Sequence, residues 1–325
     1  MAQFLHQKSY SHNDRMRDIV DDNPHLLPAL SRFGIPLGFG DSTVNDVCIN
    51  NNVHTSTFLA VANVISGYTH NGLKVDIEAL NTYLKNAHDY FLGYVLPNIR
   101  KKLIEAISSS SSAELPLVMI RFFDEYMDEM RANIQHENDE IINSRHNPSD
   151  PEFHKALDKF QTHHHTMSDK LREIKELLIC HFHTERERVD LLNALLFEIM
   201  TFERDMLAHC QVEDSLFVPA VLGINLSSKN NESVYEEDSF NNTSLDSNGD
   251  IRLTPRECDI VRAIARGLSN KEIAENLFLS VHTVTTHRRN ISSKLGIHSA
   301  SGMTLYAILH GLISLEEGEK IVSSI

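Results

Sequence analysis

Tryptophan is absent from this chain and cysteine is scarce: Cys48, Cys180, Cys210 and Cys258 stand far apart, with no CxxC pair. That spacing argues against a disulfide framework or a zinc ribbon and fits a reducing cytosol. No run approaches the ~18 uninterrupted apolar residues of a membrane span. The opening residues, MAQFLHQKSYSHNDRMRD, lack the apolar core of a signal peptide, so the expected location is cytoplasmic. No catalytic triad, phosphate-binding glycine loop or cofactor fingerprint is present, and the expectation is a protein that is not an enzyme. Positive charge is also short. Lys and Arg number 30 against 45 Asp and Glu, a formal net charge of −15. That excludes a chain basic throughout, but not one basic domain on an acidic carrier.

The 325 residues, 41% of them hydrophobic, suffice for two or three domains with real cores. Residues 224–250, INLSSKNNESVYEEDSFNNTSLDSNGD, are rich in Ser, Asn and acids and carry no apolar period. Such a stretch cannot bury enough surface to offset chain entropy, and it marks a flexible linker over 221–251. Behind it, residues 252–314 hold eight basic side chains and four acidic ones, a local charge of +4 that leaves −19 for the rest. A modestly basic module on an acidic carrier is the first functional clue.

The module, 252–325, spells out four helices. Thr254 is an N-cap, Pro255 takes the first helical position, and Glu257 completes a capping box. Gly267 ends the first helix, and Ser269 or Asn270 caps a second with apolar Ile273, Ala274 and Leu277. Only Phe278-Leu279-Ser280 separates it from a third, a helix-turn-helix spacing. Ser280 caps the third helix, which runs to Leu295 and is closed by Gly296; a fourth begins near Ser299. The third helix buries Val284 and Ile291 and shows Thr283, Thr285, Thr286, Arg289 and Lys294 on its other face. Short hydroxyls and cations suit phosphates and base edges. By spacing alone, a solvated basic helix in an ordinary helical domain fits as well.

These residues resemble the DNA-binding domain of the LuxR/FixJ family over about a fifth of the chain. The match runs through Leu253-Thr254-Pro255-Arg256-Glu257, Gly267, Ser269-Asn270-Lys271-Glu272-Ile273-Ala274, Leu277, Leu279-Ser280, Thr283-Val284, His287, Ile291 and Lys294-Leu295-Gly296. The resemblance implies a helix-turn-helix over Asn270–Arg289 and a major-groove helix over Val281–Leu295. It sets Thr285, Thr286 and Arg289 where bases are read and Thr283, Arg288 and Lys294 on phosphates. It also implies double-stranded DNA as partner and a homodimer paired through the fourth helix.

Residues 77–218, within a segment of 76–220, show apolar positions at steps of three and four over four long stretches. Their starts are Ile77, Met119, Phe153 and Leu192. Short breaks between them imply an antiparallel four-helix bundle. Each apolar stripe is interrupted by polar residues: His88; Asn133 with Glu137; His164; His209 with Glu213. A lone histidine in such a place is usually a satisfied core residue. One on nearly every helix is different, because burying several polar groups without partners costs a few kcal/mol apiece. Metal ligation satisfies such a cluster, and nitrogen with carboxylate oxygen suits iron, manganese or zinc.

The same segment resembles hemerythrin-like domains, most closely the repair-of-iron-centres (RIC) group. His88 in NAHDYFLGYVLP, and His209 with Glu213 in HCQVEDSLFVP, carry the match. The resemblance implies iron held by His88, Glu137, His164, His209 and Glu213, with His136 as a further candidate. Two departures matter: Asn133 stands where the second helix would supply a histidine, and the serine run 108–112 stands where another follows the first helix. One-metal, two-metal and vestigial sites therefore all stay open. Residues 1–75, cut by Pro24, Pro28, Gly34, Pro36, Gly38 and Gly40, resemble the small leader domain of that repair group. The leader's adjacent cysteines are replaced by Leu37-Gly38-Phe39-Gly40, and Cys48 reads as a buried small apolar residue.

The fold expected is all-α: a short helical leader, a hemerythrin-like antiparallel bundle and a four-helix LuxR-type module. The function expected is sequence-specific transcription regulation, with the bundle sensing oxygen, nitric oxide, redox state or iron through a small diatomic ligand or the metal itself. The alternative is an iron-handling or iron-centre repair protein with an appended regulator domain. A bundle without metal that only dimerises the chain is a third reading.

Overall fold

The computed structural model describes residues 9–70, 73–107, 114–142, 153, 157, 170–181, 189–223 and 253–314. Every element among them is helical, apart from one isolated β-bridge between Arg15 and Thr43. The linker 224–250, His164 and most of the expected third helix lie outside the described residues. Two compact units divide the chain: Met1–Pro97 with Met130–His165 and Thr201–Glu232, and Asn98–Glu129 with Thr166–Met200 and Ser233–Ile325.

The first unit begins with four short helices, α1 (Met16–Asp22), α2 (Leu26–Arg32), α3 (Val44–Asn50) and α4 (Thr55–Ile65). Proline and left-handed glycines at Gly34, Gly38 and Gly40 keep them short. Local side-chain acceptors start the last two: Thr43 accepts from the Asp46 N–H, and His54 Nδ1 accepts from the Thr57 N–H. α4 is apolar on nearly every side because it lies between two cores. Phe58, Leu59 and Ala62 join the leader's own core with Met16, Leu30 and Cys48. Ala60, Val61 and Val64 pack with Leu80, Leu84, Val212 and Leu216. Burial pushes the Cys48 thiol up to about 12, which removes it as a nucleophile at neutral pH. Buried Asn63 ties down the amino-terminal arm, accepting from the Tyr10 N–H at 2.6 Å and donating to the Tyr10 carbonyl at 3.2 Å.

The long helices come next, and each carries a wider turn that periodicity does not announce. α5 (Ile77–Tyr90), capped by Asp76, passes through a π-turn at Phe91–Val95 into α6 (Leu96–Ile107). α7 (Glu114–His136) continues as a π-segment, Glu137–Ile142. Residues 170–176 are helical and run into a π-turn at Leu177–His181. α8 (Val189–Val212) passes through a π-turn at Glu213–Phe217 into α9 (Val218–Val221).

In the second unit the module forms α10 (Pro255–Ala265), α11 (Asn270–Leu277), α12 (Val281–Leu295) and α13 (Ala300–Leu309). Thr254 and Glu257 make a full capping box, as do Ser269 and Glu272. Ser280 and Ser299 cap the last two helices, and Gly296 closes α12 at φ 65°. The core is Ile260, Val261, Ile264, Ile273, Val284, Ile291, Leu295 and Leu305. The turn between α11 and α12 rests on Phe278, which adopts φ 54° while 95% exposed. A left-handed residue at a helix end is ordinary, but an L side chain in that conformation is strained.

Candidate metal centre and nucleic-acid interface

Four polar residues expected to face inward converge inside the first unit. His88 lies near the end of α5, Glu137 opens the π-segment after α7, His209 lies near the end of α8, and Glu213 opens the π-turn beyond it. All four are buried, Glu213 completely. The two imidazole Nε2 atoms are 3.0 Å apart. Glu213 Oε1 lies 3.1 Å from His209 Nε2 and 4.0 Å from His88 Nε2, and Glu137 Oε2 lies 3.6 Å from His88 Nε2.

This donor set fits a divalent metal. Atoms that share a metal at about 2.1 Å in neighbouring positions stand about 3 Å from one another, as His209 Nε2 does from both His88 Nε2 and Glu213 Oε1. The outer nitrogen of His88 supports the same reading: Nδ1 lies 3.0 Å from Asn138 Oδ1, an acceptor. That contact puts the proton on Nδ1 and turns the Nε2 lone pair inward, the usual arrangement behind a ligating histidine. The surrounding wall is apolar, with Phe91 edge-on to His209 at 5.4 Å between ring centres and packed on Phe202. Two histidines and two carboxylates gathered in such a place carry a large desolvation cost unless something positive joins them.

The π-segments explain how the cluster forms. A π-turn adds a residue to a helical turn and re-aims the side chains beyond it, and such turns gather at functional sites. Here one starts at Glu137, one at Glu213, and one three residues after His88. The tightest group is His88, His209 and Glu213; Glu137 approaches it through His88, and His136, half-buried, does not join it. Asn133, where the resemblance wants a histidine, is half-buried as well.

One supporting residue escaped sequence reasoning. Arg32, at the end of α2, is 3% exposed. It donates to Asp205 Oδ2 at 2.6 Å, reaches the Tyr83 hydroxyl at 3.5 Å, and lies over the Phe91 ring at 5.0 Å. Burial works against its charge, but Tyr83 and Asp205 outweigh it and hold the guanidinium above its ordinary pKa. Asp205 precedes His209 by one helical turn, so the leader is fastened beside the cluster. The only signal in the sequence was a single cation inside the apolar run LLPALSRFGI.

On α12 the expected DNA-facing residues split into two groups. Thr285, Thr286 and Arg289 are exposed. Both threonine hydroxyls donate back to carbonyls one turn earlier, Val281 and His282, at 3.0 Å, which leaves each oxygen free to accept. Thr283 is tied into the N-cap, its N–H donating to Ser280 Oγ at 3.0 Å. The other two are half-engaged within the module. Arg288 donates to Asn270 Oδ1 at 2.9 Å, and burial lowers its pKa. Lys294 donates to both oxygens of Glu257, at 2.7 and 2.9 Å. Burial works to raise the Glu257 pKa, but hydrogen bonds from Lys294 and Thr254 prevail and hold it below the ordinary carboxylate value. A phosphate contact by Lys294 therefore competes with a carboxylate already in place.

Comparison with known proteins bears on this module. Residues 252–307 match the family described as "Bacterial regulatory proteins, luxR family". The "Transcriptional regulatory protein MctR" of Rhizobium johnstonii is 50% identical over 66 residues, 20% of this chain and 31% of the relative. The "Fimbriae Z protein" of Salmonella typhimurium is 48% identical over 64 residues, 20% of this chain and 30% of the relative. The "Oxygen regulatory protein NreC" of Staphylococcus aureus is 46% identical over 61 residues, 19% of this chain and 28% of the relative. The chain thus spans about a third of the length of the curated relatives it matches. No solved structure matches it. The carboxy-terminal module is a LuxR-type helix-turn-helix domain.

Proposed function

We propose that this protein is a cytoplasmic transcription regulator that binds double-stranded DNA as a homodimer. α12 enters the major groove, and the cluster of His88, Glu137, His209 and Glu213 holds iron as the sensing element. The observation that carries the DNA half is the exposed face Thr285-Thr286-Arg289 on a helix inside the matched segment. Arg289 suits a paired contact to guanine, and the threonine methyls suit thymine. Two modules on one two-fold site stand about 34 Å apart, so affinity depends on holding two copies together. The acidic remainder of the chain repels DNA, which weakens binding to random sequence and leaves the base contacts to decide.

The sensing half rests on the buried donor set. His88 and His209 offer nitrogen, and Glu137 and Glu213 offer oxygen, with His164 a further candidate. Iron held there supplies redox chemistry and affinity for small diatomic molecules. The chain's own residues keep water from the site through Phe91 and Phe202 and fix the His88 ring through Asn138. The sensing reading and the iron-repair reading share this cluster; the missing leader cysteines favour the regulator.

The test is titration of the full chain against duplexes enriched from a random library. A preference over unrelated duplexes that persists as salt rises is expected. Equal binding to every sequence at every salt would remove the specific-recognition reading. Iron content after anaerobic reconstitution tests the other half.

A further inference from the structure

α8 carries more exposed large apolar side chains than any other element among the described residues, with Phe197 74% exposed and Met200 50%. Yet the helix already has a core face. Leu195, Ile199 and Phe202 are buried, as is His209 further along. A helix apolar on two opposite faces is suited to being covered on both, and exposed apolar surface of this kind marks a site of association.

The outward face follows a heptad period. Asp190, Phe197 and Arg204 are two helical turns apart in succession, so they stand in line along α8. Asn193 and Ala194 fill the turn before Phe197, and Met200 and Thr201 fill the turn after it; all of these are exposed. At 1.5 Å per residue the face runs about 21 Å from Asp190 to Arg204.

This face is complementary to its own reverse. In an antiparallel pair centred on Phe197, each position before it meets the partner position equally far after it. Asp190 then meets the partner's Arg204, carboxylate against guanidinium, and the two-fold axis makes that pair twice. Ala194 meets the partner's Met200, small against large. Asn193 meets the partner's Thr201, both able to hydrogen-bond. The two Phe197 rings meet on the axis. A parallel pair would set Asp190 against Asp190 and Arg204 against Arg204, and like charges so placed repel. Within its own chain Arg204 donates to His25 Nε2 at 2.9 Å. A guanidinium has five N–H donors, so that contact leaves others for a carboxylate.

We propose that the outward face of α8 is a docking surface for a second copy of this chain, paired antiparallel about a two-fold axis through Phe197. Its chemistry is an aromatic and thioether centre between two carboxylate–guanidinium pairs. The pairing needs neither DNA nor the carboxy-terminal module, so it goes beyond the DNA-binding reading and stands apart from it. α8 also holds Asp205 and His209, so the pairing face and the buried cluster share one helix.

The test is sedimentation of the full chain without DNA, for wild type, Phe197→Glu, Asp190→Arg, Arg204→Asp and the double variant Asp190→Arg with Arg204→Asp. Wild type is expected to dimerise. Phe197→Glu should weaken the dimer about thirtyfold or more, the scale of a central aromatic anchor. Each single charge reversal should weaken it roughly tenfold, and the double variant should restore it, because both pairs reform with opposite sense. Circular dichroism checks that each variant is folded; if Phe197→Glu is not, the charge reversals decide alone. In Phe197→Cys a short bis-maleimide should join two chains beyond any product seen with wild type. A wild type that is monomeric at every concentration would overturn the proposal. So would a dimer indifferent to Phe197→Glu and to both reversals, and single reversals that the double variant fails to rescue would overturn the antiparallel arrangement. Failure of every form to bind any duplex would remove the DNA-binding reading and leave this pairing standing.

Discussion

The buried cluster and the DNA-binding module keep their chemistry in opposite ways. In the module the working groups point outward from helices whose caps, turn and core are set by neighbouring residues. In the cluster the polar groups point inward from three separate stretches of chain, and each stretch departs from α-helical geometry beside its cluster residue. The module can be read from about 60 consecutive residues, whereas the cluster exists only once α5, α7 and α8 have met. An outward site tolerates substitution and reports it in binding. An inward one reports it in metal content and in packing together.

The largest effect expected from this contrast is at His209. His209→Ala should remove most of the iron taken up on anaerobic reconstitution, measured by metal analysis, because it lies within about 3 Å of both His88 and Glu213. Asn138→Ala leaves every ligand in place and should weaken metal binding by about 10–100-fold, the scale for loss of a partner behind a ligating histidine. Full iron content in His209→Ala would break the comparison at its inward side.

On the outward side, Arg289→Ala should lower affinity for an enriched duplex by about 1–3 kcal/mol while leaving melting of the module unchanged. Titration of wild type and variant at one salt concentration checks it.

Much of the molecule is legible in its sequence, and the reason is locality. Both capping boxes, Ser280, Ser299 and Gly296 announce the module's helix ends because caps are made by residues three apart. His88, Glu137, His209 and Glu213 are legible as interruptions of apolar stripes. The π-turns are not, since a wide turn leaves spacings of three and four intact and shifts only the direction of the residues beyond it. Arg32 and Glu173 escape for another reason. Their partners, Asp205 and Ser299, are 173 and 126 residues away, and nothing local distinguishes a cation or a carboxylate that will be buried from one that will not.

A smaller effect is expected at Phe278, the left-handed residue between α11 and α12. A glycine suits φ 54° without strain, and the aromatic ring is exposed to water. Phe278→Gly should raise the module's stability by about 1 kcal/mol in denaturant unfolding of the full chain. Destabilisation would mean that the ring has a packing role.

The smallest effect concerns Lys294 and acid. Glu257 is held below its ordinary pKa, so its contribution is present above about pH 4.3, the unfolded carboxylate value. It is lost as pH falls through the folded value. Lys294→Ala removes one of the groups that depress it, so acid unfolding of α10 should begin at a higher pH than in wild type. Circular dichroism across an acid titration reads that midpoint. Identical midpoints would show that the Thr254 capping box alone holds the carboxylate.

The central claim is that the inward site governs the outward one, and titration of one enriched duplex with metal-free, reduced and oxidised protein at fixed salt tests it most directly. A ligand can shift DNA binding only through a difference in free energy between two arrangements of the chain. The account predicts curves separated by about 1–3 kcal/mol, with sedimentation shifting in step. Three superimposable curves with identical sedimentation would contradict it and leave the buried cluster without a part in DNA binding.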